Sequence, residues 1–499
     1  MRILLKANTL FFRIILLLGF IILISFFLNG CKIEKKSFNN LTFISINQNG
    51  FYLNDSLFFP LTLNYIVDLQ YGGGNLWASP ANGYDSVKGH YYTSKDSCLM
   101  QLKKDMELIK KMGFNSVRIV RVGEVNINPK NGELSVIANF KNKRDTTIVL
   151  SNSFWLRKND SYNNYFTAIE EMLGIIDSAG LKVVFLTRMS IEFNSTETFL
   201  KNLVSYFKKS STIMAYDFFN EPLYFDRKDR LKITVYSKVN HWQKIITTRA
   251  PNHLSTIGLE GVREVFEWDP NILNVDFISY HPYEHEPEQV RNELYWYGKY
   301  TNKPWIVGET GWYTSKKNER DSLKTQKSFA IKTLEQSYNC GAKGYSWWQF
   351  KDVAWNDLKN HSDLMGLVSK NGNTKKAIRV FQDFDPTKKK GDCLCLDNYY
   401  NYSESTSFLL RGKLVDGENF PIEGGIILGW SKQWTDSYHT ITKKDGTFEL
   451  KGSFPFYHWM ASSIKHEMIR GDIIADTITS NPPIFDLRIL TVNQLDFLE

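Results

Sequence analysis

Residues 213–222 read Ile213-Met214-Ala215-Tyr216-Asp217-Phe218-Phe219-Asn220-Glu221-Pro222. The apolar and aromatic run up to Phe219 favours a strand. Pro222 has no amide hydrogen for a ladder and disfavours its continuation, which puts Asn220 and Glu221 at the strand's carboxyl rim. Later in the chain Pro304-Trp305-Ile306-Val307-Gly308 repeats the pattern and stops at Glu309. Two carboxylates at the ends of separate strands are the first sign of chemistry, and they fix how the surrounding chain is read.

Working outward, strands are predicted at 57–64, 116–121, 182–187, 213–219, 254–259, 275–280, 304–308 and 343–348, and helices at 95–112, 162–179, 195–207, 233–248, 287–299, 321–339 and 375–384. This alternation is that of parallel βα units, and eight strands is the number that closes a barrel. The connection 260–274 is short and need not hold a full helix. Two insertions interrupt the rhythm. The first, 65–93, contains Gly72, Gly73 and Gly74 with Trp77, Tyr84, Tyr91 and Tyr92; the second, 123–161, holds two runs, 134–140 and 146–150, that suit a hairpin about the polar turn 141–145. On the carboxyl side of a barrel such insertions shape a substrate groove.

The 499-residue chain is 42% hydrophobic, 14% aromatic and 23% charged, which excludes a disordered, collagen-like or coiled-coil polypeptide. Its 61 Lys and Arg against 53 Asp and Glu leave too small a basic excess to argue for nucleic acid. Three of those basic residues, Arg2, Lys6 and Arg13, precede an apolar run over 14–28 that is followed by Leu28-Asn29-Gly30-Cys31. The run is shorter than the roughly 20 residues that span hydrocarbon. It resembles the signal and lipobox of a bacterial lipoprotein. That resemblance implies a signal peptide over 1–30, lipid on Cys31, a tether over 31–44 and a membrane-anchored protein of the bacterial cell envelope, periplasmic or surface-facing. A plain transmembrane anchor is the alternative, and either places the rest of the chain outside the cytoplasm. The other cysteines, Cys98, Cys340, Cys393 and Cys395, permit two disulfides. Cys393 and Cys395 are too close in sequence to pair well with each other, and a metal site at that pair lacks accompanying histidines.

After a helix ending near Phe384, the stretch Asp385-Pro386 with Lys388-Lys389-Lys390-Gly391 reads as a junction, so 387–404 is expected to be a linker. Residues 405–499 carry short apolar strands separated by Asp416-Gly417 and Asp445-Gly446 turns, which suits a small β-sandwich. They resemble the carboxypeptidase regulatory-like domains attached to exported bacterial proteins. The expected fold class is therefore α/β: a (β/α)8 barrel over 45–386 followed by a β-sandwich over 405–499.

Two glutamates reaching a barrel mouth from different strands suit glycosidic cleavage, one protonating the departing oxygen and the other attacking or activating water. The barrel resembles the catalytic domain of glycoside hydrolase family 5, a cellulase- and mannanase-like family in the clan of retaining barrel glycosidases. Asn220-Glu221-Pro222 resembles its Asn-Glu-Pro motif, implying Glu221 as acid/base with Asn220 on the sugar 2-hydroxyl. Lys303-Pro304-Trp305-Ile306-Val307-Gly308-Glu309 implies Glu309 as nucleophile. Arg118 falls on an arginine that hydrogen-bonds around the nucleophile, His281 and Tyr283 on a His-x-Tyr pair after strand six, and Trp348 on a sugar platform. Trp347 takes that place if the register is displaced by one. This chain departs from many relatives at the end of strand three, where Thr187 and Arg188 replace a histidine. Trp77, Tyr224, Trp312 and Tyr313 lie in or beside carboxyl-side loops, where their faces can stack on pyranose rings.

The expected activity is that of a retaining β-glycosidase, endo-acting on a β-linked hexose polysaccharide such as β-mannan or β-glucan. No cofactor, metal or nucleic-acid partner is implied, and a monomer is expected. The rival expectation is a catalytically inactive, carbohydrate-binding surface lipoprotein.

Overall fold

The computed structural model describes residues 42–81, 94–122, 125–127, 134–141, 148–149, 153–156, 158–226, 228–284, 286–315, 319–354, 360–401, 407–473 and 484–498. Eight parallel strands close into a barrel: β1 (Leu61–Gly72), β2 (Ser116–Val120), β3 (Lys182–Leu186), β4 (Ile213–Asn220), β5 (Leu254–Leu259), β6 (Ile278–Tyr280), β7 (Trp305–Val307) and β8 (Tyr345–Trp347). Each pairs with its successor, and β1 pairs with both β2 and β8. Helices α1 (Lys95–Lys111), α2 (Lys158–Ser178), α3 (Ser195–Phe207), α4 (Lys232–Arg249), α5 (Pro287–Tyr300) and α6 (Glu319–Asn339) alternate with the strands. A Ser94/Ser97 capping box starts α1 by satisfying amides that the first turn leaves open. The short connection 260–274 holds only a 3₁₀ turn, Val262–Phe266.

The first strand differs most from its prediction. Ser56–Phe58 belongs to a separate antiparallel sheet with Ser45–Asn47 and Gly50–Leu53. Phe51 and Ile44 pack with Val184, Met214, Ala215, Leu254, Phe277 and Ile306. β1 starts after Pro60 and runs on to Gly72, where Gly73 (φ 57°) and Gly74 (φ 85°) turn the chain into Asn75–Pro80. The beginning of the first insertion is therefore a strand prolonged beyond the barrel rather than a loop. Tyr84, Tyr91 and Tyr92 lie outside the described residues. In the second insertion, Leu134–Lys141 pairs antiparallel with Ile148–Val149, in the sense of the expected hairpin, and with Ser153–Leu156.

The C-terminal region stacks two sheets. One has the order β12-β9-β15, from β9 (Phe408–Asp416), β12 (Thr447–Gly452) and β15 (Ile484–Val492). The other has the order β11-β10-β13-β14, from β10 (Ile426–Trp430), β11 (Ser437–Ile441), β13 (His458–Ser462) and β14 (Ile469–Asp472). Successive side chains of β10 point to opposite faces. Ile427 enters the sandwich core with Leu410, Leu414 and Phe448, whereas Ile426 and Leu428, with Ile441, join the core of the barrel. The seam is also polar: Trp296 Nε1 donates to the Gly424 carbonyl (2.9 Å), and buried Asp269 accepts from Lys232 Nζ (3.0 Å) and from the Lys465 amide (2.6 Å). The stretch expected as a linker is held along α6 by a Cys340–Cys393 disulfide, with Tyr399 buried beyond it. Among the described residues Cys98 and Cys395 are outside any disulfide, so one bridge forms where two were possible, and the Cys-x-Cys pair is not a metal site because Cys393 is bonded to Cys340. Among the described residues no helix is long and apolar enough to cross a membrane.

Candidate active site

Strand register builds the site. Asn64 of β1 lies opposite Arg118 of β2, and Asp217 of β4 lies two residues beyond the neighbour of Val184, itself opposite Arg118. All three side chains are buried inside the barrel. A buried guanidinium must have its donors satisfied, and here Arg118 gives Nε to Asp217 (2.8 Å), Nη1 to Asn64 (3.1 Å) and to Glu309, and Nη2 to Asn220 (2.8 Å). Asn64 turns its amide nitrogen to the carbonyls of Gly308 (3.0 Å) and Trp347 (3.2 Å), tying β1 to the ends of β7 and β8. Asp217 also accepts from the Gly258 amide (3.1 Å). Asp217 and Asn64 have no place in the sequence-based site. A lone acid inside an apolar strand was the available signal, because such a charge needs a buried partner.

Glu221 follows β4 in the left-handed region (φ 47°, ψ 69°), a conformation that costs a residue with a Cβ on the order of 1–2 kcal/mol. Its amide donates to the Gly258 carbonyl (2.8 Å), and buried Glu264 accepts from the Leu223 (3.2 Å) and Glu260 (3.1 Å) amides, clamping the turn. His281 fills the space between the two glutamates, its Nδ1 2.9 Å from Glu221 Oε1 and 3.8 Å from Glu309 Oε1. Glycine is required beside it: a Cβ on Gly308 would lie 1.7 Å from Ser279 Oγ and 2.8 Å from His281 Nε2, and one on Gly258 would lie 2.5 Å from His281 Cε1. Tyr283 donates to the second oxygen of Glu309 (3.2 Å).

A carboxylate oxygen from each glutamate and a ring nitrogen of His281 all lie within 4.8 Å of one another. Such proximity suits the roughly 5–5.5 Å carboxyl spacing used for retention. The electrostatics divide the two acids. Burial, reinforced by the charge of Glu260, pushes Glu221 up to about 8, so it holds its proton at neutral pH. Burial also raises Glu309, opposed by His281 and Arg118, so the guanidinium tempers the effect of burial without reversing it. Burial lowers His281 to about 4 and leaves a neutral ring. Burial together with Glu309 holds the Tyr283 phenol far above its ordinary value, as a donor. Two glutamates and a histidine could ligate a divalent cation by count, but a permanent guanidinium already contacts Glu309. The set has the parts for acid-assisted displacement at a sugar carbon.

Glu221, Glu309, Arg118, Asn220, His281 and Tyr283 are thus brought into one network. Trp348 is partly open at the end of β8, with its amide bonded to the Thr310 carbonyl (2.8 Å) next to Glu309. Trp347 is corrected: it is buried against Phe329 and Phe381, and its indole donates to the Met365 carbonyl (2.9 Å). Trp77 is corrected too, being buried with its indole directed to Cys98 of α1 (3.3 Å), so it offers no open face. Tyr224 is half exposed against Phe225, and Trp312 and Tyr313 stack on each other (centroids 5.6 Å apart) at the rim. Thr187, at the end of β3, is buried and bonds the Asp217 carbonyl (3.1 Å).

No family model matches the chain, and no curated protein matches it. Solved structures similar to it include a Bacteroides uniformis β-glucuronidase 2, at 12% identity over 90% of this chain and 48% of that one, TM-score 0.44. A GH2 β-galacturonidase from Eisenbergiella tayi matches at 15% over 68% and 53%, TM-score 0.44. An exo-β-1,4-mannosidase, Op5Man5, from Opitutaceae bacterium strain TAV5 matches at 16% over 68% and 61%, TM-score 0.48. The chain spans about half the length of the first of these, at 48%. The expected membership of glycoside hydrolase family 5 is corrected by these findings, since no family model supports it and the family named among the similar structures is GH2. The cellulase-like and mannanase-like labels fall with it. The carboxypeptidase regulatory-like name for the C-terminal strands and the lipoprotein, membrane-anchored reading likewise find no match. The signal segment and Cys31 lie outside the described residues.

Proposed function

We propose that the protein is a retaining β-glycoside hydrolase acting within a β-linked hexose polysaccharide. Glu309 attacks the anomeric carbon, and the glycosidic C–O bond breaks as Glu221 gives its proton to the departing oxygen. Glu221, now a carboxylate, takes a proton from water as that water attacks the same carbon, and the ester bond to Glu309 breaks to free the sugar and restore both groups. Arg118 and Tyr283 orient the nucleophile, His281 holds the acid in place, and burial with the charge of Glu260 sets its proton affinity. Asn220, whose amide oxygen is taken by Arg118, presents its NH2 to the sugar 2-hydroxyl.

The observation that carries this reading is the pair of carboxylates within 4.8 Å at a barrel mouth, with Glu221 raised to about 8. Within it, 45–386 supplies the chemistry, 405–499 is an accessory sandwich, and Trp348 is the sugar platform, since Trp312 is stacked between Phe329 and Tyr313, and Tyr313 between Trp312 and His361. The disulfide favours an oxidising compartment outside the cytoplasm. The test is hydrolysis of a panel of β-glucans, β-mannans and 4-nitrophenyl β-glycosides. Glu309→Ala should abolish turnover, and azide should partly restore it with an activated leaving group, yielding the glycosyl azide of inverted configuration. Full activity in that variant would remove Glu309 from the reaction.

A further inference from the structure

A cleft of about 980 Å³ opens from the site at Tyr283 and Trp312 and runs to the C-terminal sandwich. Its volume is at the upper end of the roughly 300–1,000 Å³ of small-molecule sites, more than one hexose ring needs. The barrel wall carries Trp312 and Tyr313, with Tyr313 stacked flat on His361 (centroids 3.8 Å apart, planes 6° apart). The facing wall is sandwich. Tyr438 of β11 stacks with Phe454 (5.1 Å, 27°), and its hydroxyl is hydrogen-bonded to Ser453 (2.9 Å). The Tyr438–Phe454 pair, set among polar groups, suits the apolar faces and hydroxyl edges of pyranose rings. The charge is one-sided: Glu260, Glu284, Glu286 and Asp436 line the cleft with Arg263, which is paired to Glu260 at 3.0 Å.

We propose that the sandwich wall at Tyr438 and Phe454 is a distal subsite for a neutral β-linked oligosaccharide whose near end lies at the glutamates. The C-terminal strands are on this account part of the substrate site. The proposal rests on the glycosidase reading for the identity of the ligand. Its acidic lining repels uronic acid chains, whose carboxylates would face like charge at short range.

The test measures binding and turnover separately. Calorimetry on Glu309→Ala protein, in which no chain is cleaved, uses cellohexaose, mannohexaose and a hexameric β-glucuronan as probes. Kinetics on the otherwise unaltered enzyme use a 4-nitrophenyl β-glycoside. At least one neutral hexamer should bind, and Tyr438→Ala with Phe454→Ala should weaken it about tenfold, equivalent to about 1.4 kcal/mol. The short glycoside should keep its kcat/KM within twofold. Asp436→Lys, an exposed change that leaves the stacked pair intact, should improve glucuronan binding and so reads the same wall if the aromatic variants fold poorly. Unchanged hexamer affinity in folded aromatic variants, tighter glucuronan than neutral binding to the unsubstituted wall, or no hexamer binding at all overturns the subsite. Hexamer binding lost on substitution, with no cleavage of any substrate by the unaltered enzyme, retains the subsite and overturns the hydrolase.

Discussion

Replacing Glu221 by Gln separates its role in turnover from its cost to the fold. With an ordinary value of 4.5 and a folded value of about 8, Glu221 keeps a proton at pH 7 that the unfolded chain releases. The folded state then binds more protons than the unfolded one, so stability declines as pH rises from 4.5 and levels off above 8. The interval from 4.5 to pH 7 corresponds to about 3 kcal/mol. Glutamine resembles the protonated acid in shape, can meet His281 Nδ1 with either its oxygen or its NH2, and carries no charge in either state. Glu221→Gln should therefore be more stable than the parent by up to about 3 kcal/mol at pH 7 and equal to it near pH 4. Urea denaturation at pH 4, 5.5, 7 and 8.5 measures this directly, with the m-value as a check that the transition is unchanged. In the active enzyme kcat/KM should fall above about pH 8 as the acid ionises, and fall on the acid side as Glu309 takes up a proton. Glu221→Gln should lose turnover of poor leaving groups by several orders of magnitude. Equal stability of the two proteins at pH 7 would refute the claim that burial holds the proton on Glu221.

Gly308→Ala should cost about 1–3 kcal/mol of stability and lower kcat more than tenfold, because its Cβ would lie 1.7 Å from Ser279 Oγ; Ser279→Gly in the same chain should recover part of both, as thermal melts and kinetics on a chromogenic glycoside will register. Cys340→Ser removes a crosslink spanning 53 residues, for which the chain-entropy relation gives a loss of about 4 kcal/mol, read as a lowered urea midpoint. Arg118→Lys keeps a charge but cannot reach Asp217, Asn64, Asn220 and Glu309 together, so kcat should drop by at least a hundredfold and the acid limb of the pH profile should move upward as Glu309 loses its guanidinium contact. An unmoved acid limb would show that Arg118 does not bias the nucleophile.

Much of the barrel was legible because strand ends are punctuated by residues with backbone consequences. Pro222 and Gly308 close β4 and β7 next to the two glutamates, and the predicted helix 195–207 agrees with Ser195–Phe207. Local pattern failed where tertiary pairing decides. β1 runs past its expected end because residues 65–66 continue the pairing with β2 and residues 67–72 find a partner in Asn75–Pro80, a pairing that periodicity alone does not reveal. Trp347 and Trp348 are adjacent and chemically alike, and only the strand register sends one into the core and leaves the other partly open. The six polar residues of the network were found from strand-end position and resemblance. Asp217 and Asn64 were missed because their partner, Arg118, comes near them only when the barrel closes. The family assignment did not hold, since motifs this short mark a shared chemistry without identifying a lineage.

The alternating faces of β10, with Ile427 in the sandwich and Ile426 and Leu428 in the barrel, have an engineering consequence. A cassette that is merely strung behind an enzyme can be exchanged by cutting between the two. Here a graft made after residue 404 would strip cover from Trp296 and leave Asp269 and Lys232 without Lys465 and the Ser463 carbonyl as companions. Any chimera would have to carry matched replacements on α5 and on the loop holding Asp269, so the two halves are expected to have diversified in step.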